Sequence, residues 1–209
     1  MHNRLKCALS ETALAVCGLV LVATLAVGCS NLSGSSPSQS ALTHATTPPP
    51  TSTPGTMVTL VGNGFKISYP QSLHISESNP HLVILTNSTG TIKITFTIVP
   101  DAHGKVSATS LVNAAVNAQK VSLKDVQLVP SPPTATVGGT SWDQESVSGT
   151  RRLNATNTMM HSVVIADVHP GNTAASEGYT IVYSAPQSIF NQANMTYFQP
   201  VLQSFKFQP

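Results

Sequence analysis

The stretch Thr91 to Val99 alternates: Ile92, Ile94, Phe96 and Ile98 fall on one side of an extended chain, and Thr91, Lys93, Thr95 and Thr97 on the other. Successive side chains of a strand point to opposite faces. A strand apolar on one side only belongs to a sheet with one buried face and one that is wet or lightly covered. That is the habit of antiparallel sheets; strands of a doubly wound parallel sheet are apolar on both sides. The remaining elements have to fit such a sheet.

They do. Val58 to Val61 and Phe65 to Tyr69 flank Gly62-Asn63-Gly64 and read as a hairpin closed by Pro70. The two glycines lack the third glycine and the following helix of a phosphate loop, so they are read as a turn. His74 to Glu77 and Leu82 to Leu85 are short strands, and Asn87-Ser88-Thr89-Gly90 is a turn. Ser107 to Lys120 changes period. Leu111, Val112, Ala115 and Val116 make a helical stripe, Ser107 caps the start and Lys120 suits the C-terminal end of the dipole. Strand character resumes at Val126 to Val129, Thr134 to Val137 and Thr140 to Ser148. Arg151-Arg152 and Asn154 to Asn157 are expected to form an exposed loop before Met159 to Val168, a central strand. Tyr179 to Ser184 is a further strand. A second helix runs from Pro186 through Val201 and is kinked or restarted at Pro200, and Phe205-Lys206-Phe207 ends the chain as a short strand. The expected class is α+β, an antiparallel sheet of about six or more strands flanked by two helices.

The first 57 residues are of another kind. Arg4 and Lys6 precede an apolar run, Thr12 to Val27, of signal-peptide length and short for a membrane span. The run ends LVATLAVGCS, Leu21 to Ser30. Small residues leading to Cys29 resemble a bacterial lipobox, although Leu25 stands four before the cysteine, where a lipobox usually has it three before. The resemblance implies cleavage after Gly28 and a diacylglyceryl thioether on Cys29, a firm anchor once two chains are attached. The alternatives are an ordinary signal peptide cut near Ala26-Val27-Gly28, or an uncleaved anchor. Ser30 to Met57 is so rich in Ser, Thr and Pro that it has little to bury, and it is expected to be a disordered tether of about 30 Å as a coil. The division is therefore 1–28 signal peptide, 29–57 tether and 58–209 folded domain, with the domain outside the cytoplasm.

Composition excludes several functions. With Arg4, Lys6 and Glu11 lost in the leader, eight basic and seven acidic residues remain, a net charge of +1 with no Lys/Arg run. Nucleic acid would find no field to follow. The cysteines are Cys7, Cys17 and Cys29, so the domain has no thiol for a disulfide, a metal or catalysis. Of its histidines, His74, His81, His103, His161 and His169, no two stand one turn apart in a metal-binding pattern. His169 is read as a loop residue and His161 as a core or edge residue. No serine sits in a nucleophile motif, and no cofactor fingerprint is found. The sequons at Asn31, Asn87, Asn154 and Asn194 are read as chance matches in an Asn- and Thr-rich chain.

Phe65-Lys66-Ile67-Ser68-Tyr69-Pro70 near the start of the domain and Phe198-Gln199-Pro200-Val201-Leu202-Gln203-Ser204-Phe205-Lys206-Phe207 at its end, with the element order between them, resemble the PsbP-like family and its DcrB-type bacterial lipoproteins. The chain has Gln71, Ser72 and Leu73 where the family often has an aromatic residue. The resemblance implies an α/β/α sandwich and an accessory or assembly role rather than catalysis.

Three functional expectations result. The first is a lipid-anchored, non-catalytic binding or accessory domain with an envelope protein or small ligand as partner. The second is an envelope hydrolase assembled from Asp143, Glu145 and His161, although Asp143 and Glu145 are equally read as an outer solvated face. The third is a small-ligand carrier with an apolar cleft between sheet and helix lined by Trp142 or by Tyr179, Tyr183 and Tyr197. For Tyr179, Ile181 and Tyr183, one face at period two, the simpler expectation is core packing.

Overall fold

The computed structural model describes residues 55–100, 104–171 and 173–208. The expected signal peptide, Cys29 and the expected tether up to residue 54 lie outside the described residues, as do Asp101 and His103. The domain opens with the expected hairpin, β1 (Met57–Val61) and β2 (Phe65–Pro70), with Val58 opposite Tyr69. Gly64 adopts φ 70°, and a Cβ there would collide with the Tyr179 hydroxyl, so glycine is required for two reasons. β3 (Leu73–Asn79), β4 (Leu82–Asn87) and β5 (Lys93–Pro100) form an antiparallel meander. In the turn before β5, the Asn87 carboxamide oxygen accepts from the backbone N–H groups of Thr91 and Ile92. Helix α1 (Ala108–Ser122) is capped by Ser107, whose hydroxyl accepts from the Ser110 N–H while the Ser110 hydroxyl accepts from the Ser107 N–H.

Beyond α1 come β6 (Lys124–Val129), β7 (Thr134–Val137), β8 (Thr140–Leu153), β9 (Thr156–His169) and β10 (Glu177–Pro186). A helical run over 187–204 follows, containing α2 (Phe190–Ala193) and α3 (Gln199–Ser204), and β11 (Lys206–Phe207) ends it. Between α2 and α3 the run widens to a π-helical turn, Asn194–Phe198, next to Pro200, which has no N–H to offer the preceding turn. The expected interruption at Pro200 is thus absorbed without breaking the helix.

Eight strands make one antiparallel sheet in the order β3-β4-β5-β10-β9-β8-β6, with β7 beside β6 on the same edge of β8. A second sheet, β1-β2-β11, closes the chain end against its beginning. Its separation from the large sheet was not expected from the sequence. Phe65, Ile67 and Tyr69 of β2 join Ile94, Phe96 and Ile98 of β5 and Phe198, Val201, Leu202 and Phe205 in one core. The small sheet and the helical run therefore cover one face of the large sheet together, and α1 lies on the other with its own cluster, Leu111, Val112 and Val116 against Val147, Val164 and Ala166.

Two local expectations are corrected. Arg151 and Arg152 belong to β8, opposite Thr158 and Asn157, and only Asn154-Ala155 forms the turn. Both turn residues have positive φ, 47° and 68°, the geometry that matches the twist of a two-residue hairpin and lets the strands run on. His169 is the last residue of β9 rather than a loop residue, and its ring lies flat on Phe207 at 3.8 Å.

Candidate functional site

One helix is about 10 Å wide and strands are spaced about 4.8 Å apart, so a single helix covers two or three strands of a large sheet. α1 rests on β8, β9 and β10 and leaves β5 beside it uncovered. Its residues on that side include the small Ala114, Ala115 and Ala118, with Leu111, Gln119, Ser122 and Leu123 beside them. The result is a cleft of about 440 Å³ between helix and sheet, within the range of small-molecule sites. The polar side of the alternating strand, Lys93, Thr95, Thr97 and Val99, forms part of its floor, with Thr180, Val182 and Ser184 of β10 beside it. The face expected to be wet or lightly covered is thus the wall of a cavity.

The cleft is polar at one end. Lys93 is paired with Ser184, and Ser184 with Ser162, so the three form a transverse row. Met160 and Arg151 line the cleft nearby. Burial, and secondarily the Arg151 charge, hold the Lys93 ammonium below the usual lysine range. No carboxylate contributes to that shift. Ser162 is 1 % exposed, and its Oγ and the buried Arg151 Nε have no hydrogen-bond partner among the described residues. Two cations thus line a cavity whose other walls mix threonines, serines and Gln119 with alanine, valine and leucine side chains and include no carboxylate, an arrangement that favours an anion.

The residues singled out in the sequence are not the ones brought together here. Asp143 and Glu145 share the α1 face, since they pair with Ala166 and Val164. Asp143 accepts a hydrogen bond from Thr109 Oγ1 at 2.7 Å. His161 alternates with Val163 and Ile165 and lies on the opposite face, its ring stacked on Phe190 at 3.9 Å. The sheet separates the imidazole from both carboxylates, so the three residues form no common site. Burial lowers the His161 pKa, and its Nε2 has no partner among the described residues.

Trp142, Tyr179 and Tyr183 likewise face away from the cleft. Trp142 is buried edge-on against Phe205, at 5.1 Å, and its indole N–H donates to Thr140 Oγ1. The Tyr179 hydroxyl donates to Glu177 at 2.7 Å, and its pKa is raised chiefly by burial and further by that carboxylate. The Tyr183 phenol is pushed up to about 12 by burial. Core packing, the simpler expectation, holds for these rings. A cleft exists, but it is lined by neither the tryptophan nor the tyrosines; Tyr197 borders a separate shallow depression beside Ile92 and Ile189. Among the described residues no three His, Cys, Asp or Glu side chains converge as a metal site would need. The one sequence signal for the real cleft was Lys93, the sole charge within the alternating stretch.

No family model and no curated protein sequence matches the chain. Its fold is similar to solved structures at low identity. A protein from Bacteroides thetaiotaomicron is 13% identical over 75% of this chain and 50% of its own, with a TM-score of 0.43. LpqN, involved in cell envelope biogenesis of Mycobacterium tuberculosis, is 12% identical over 76% and 88%, at 0.38. The Ran-binding protein Mog1p of Saccharomyces cerevisiae is 10% identical over 73% and 96%, at 0.44. The chain thus spans half the length of the first of these. Likenesses of this size reach no further than the course of the backbone. Among the described residues no helix is long and apolar enough to cross a membrane.

Proposed function

We propose that the chain is an envelope lipoprotein, anchored through Cys29, whose PsbP-like domain binds a small molecule without catalysis in the cleft beside α1. The cleft itself carries the binding part of this reading: about 440 Å³ of cavity, floored by β5 and β10 and bordered by one side of α1. The lipobox-like leader, absent thiols in the domain and the tether composition support the location. The hydrolase alternative loses its only constellation, because His161 and the two carboxylates occupy opposite faces.

Nile red, a neutral apolar dye, tests the cleft. It should brighten with the full chain, and it should fail to do so when the cavity is filled from the helix by Ala115→Leu or from the floor by Thr95→Leu. Equal brightening in both filled variants would refute the binding site. Cys29→Ala should release the protein from membranes; unchanged retention would refute the anchor.

A further inference from the structure

We infer that the occupant of the cleft is a single-chain amphiphile with an anionic head, the head held by Lys93 and Arg151 and the chain laid along β5 beside α1. This rests on the cleft being a ligand site, as proposed above, and adds the chemistry of its ligand. The cleft has two distinct ends. The row Lys93, Ser184, Ser162, with Arg151 beside it, supplies an ammonium, a guanidinium and a buried hydroxyl. Val99, Leu111, Val182 and the alanines of α1 supply an apolar wall for the rest of a ligand.

Among the described residues neither cation is paired with a carboxylate. Of the carboxylates on the same sheet face, Asp143, Glu145 and Glu77, which is opposite Ile84 and so in line with Thr95, none lines the cleft, and Asp143 is engaged by Thr109. Lys93 instead faces a second positive charge while half-buried, a costly arrangement for an empty protein and a favourable one around a carboxylate or phosphate. Arg151 Nε and Ser162 Oγ are shut away from solvent without partners among the described residues, so a head in the cleft meets the Lys93 ammonium and the outer guanidinium nitrogens of Arg151. The opposed lysines Lys66 and Lys206 of the small sheet also border a depression. That one is walled by Thr59, Ser68 and Ser204, with no wholly apolar side chain for an acyl chain to lie on.

Displacement of Nile red from the full chain distinguishes the possibilities, with dodecanoate, dodecyl phosphate, dodecanol, dodecyltrimethylammonium and inorganic phosphate, each below its micelle-forming concentration. Charge-assisted hydrogen bonds to a bound head should make dodecanoate and dodecyl phosphate about tenfold or more tighter than dodecanol. The cationic amphiphile should be weakest, and inorganic phosphate should displace nothing. Whichever anion binds tighter identifies the head as carboxylate or phosphate. Lys93→Gln with Arg151→Gln should erase the preference while Nile red still binds, and Lys206→Gln should change nothing. Dodecanol matching dodecanoate, a preference surviving the double substitution, or displacement by inorganic phosphate alone would each overturn the inference and leave the cleft a binding site. A wild-type chain that never brightens Nile red would instead remove the proposed function, and this inference with it.

Discussion

Phe205 joins the two sheets, and its removal measures how firmly the chain end is docked. The side chain is 2 % exposed. It stacks on Phe65 at 5.6 Å and meets Trp142 at 5.1 Å, Phe207 at 5.1 Å and Tyr179 at 6.5 Å edge-on. Phe205→Ala should therefore cost about 3–5 kcal/mol, the loss of a fully buried ring plus the hole it leaves. That is a large share of the ~5–15 kcal/mol by which domains of this kind are stable, and it lowers the melting midpoint by ~10 °C. Phe205→Leu keeps most of the apolar volume but forfeits the ring pairs, worth ~0.5–1.5 kcal/mol each, so its cost should lie well below that of alanine. Urea unfolding followed by tryptophan emission is the assay, because Trp142 is the single tryptophan and touches the substituted ring. A loss below ~1 kcal/mol for Phe205→Ala, with unaltered emission of the folded protein, would show that the small sheet is not seated on the large one.

Three further outcomes are expected. Burial lowers the His161 pKa in the folded state, so the unfolded chain takes up this proton first as pH falls through ~6.5. The stability His161 contributes is present above that pH and lost below it, and urea midpoints of His161→Gln should fall less between pH 7 and 5 than those of the wild type. Arg151→Gln removes a positive charge that depresses Lys93; the lysine should titrate higher, as read by NMR of the labelled ammonium, and an unchanged value would place the two groups too far apart to share an anion. Ala155 holds φ 68° in the β8–β9 turn, a left-handed conformation that penalises a Cβ, so Ala155→Gly should stabilise the domain by ~0.5–1 kcal/mol in the same urea assay. A destabilised variant would contradict that backbone geometry.

Period and capping were readable because they are local. The one-sided strand became β5, Ser107 became the cap of α1, and Asn87 to Gly90 turned the chain through hydrogen bonds within five residues of sequence. The same logic failed at Arg151-Arg152, where charge suggested a loop. Two left-handed residues at Asn154-Ala155 compress the turn, and β8 pairs with β9 along its whole length. The hydrogen-bonded ladder outweighed the local preference of the arginines.

Alternation tells which residues of one strand share a side, and so it placed Tyr179 with Tyr183 and Asp143 with Glu145 correctly. It cannot tell which side of a neighbouring strand meets them. That depends on strand order and register, which put His161 behind the sheet from Glu145 and aligned Lys93 with Ser184 and Ser162 from strands far apart in sequence. The cleft is likewise a product of tertiary structure alone: α1, the one helix on that face among the described residues, is too narrow for an eight-stranded sheet, and the uncovered remainder gathers two cations that no local pattern could have paired.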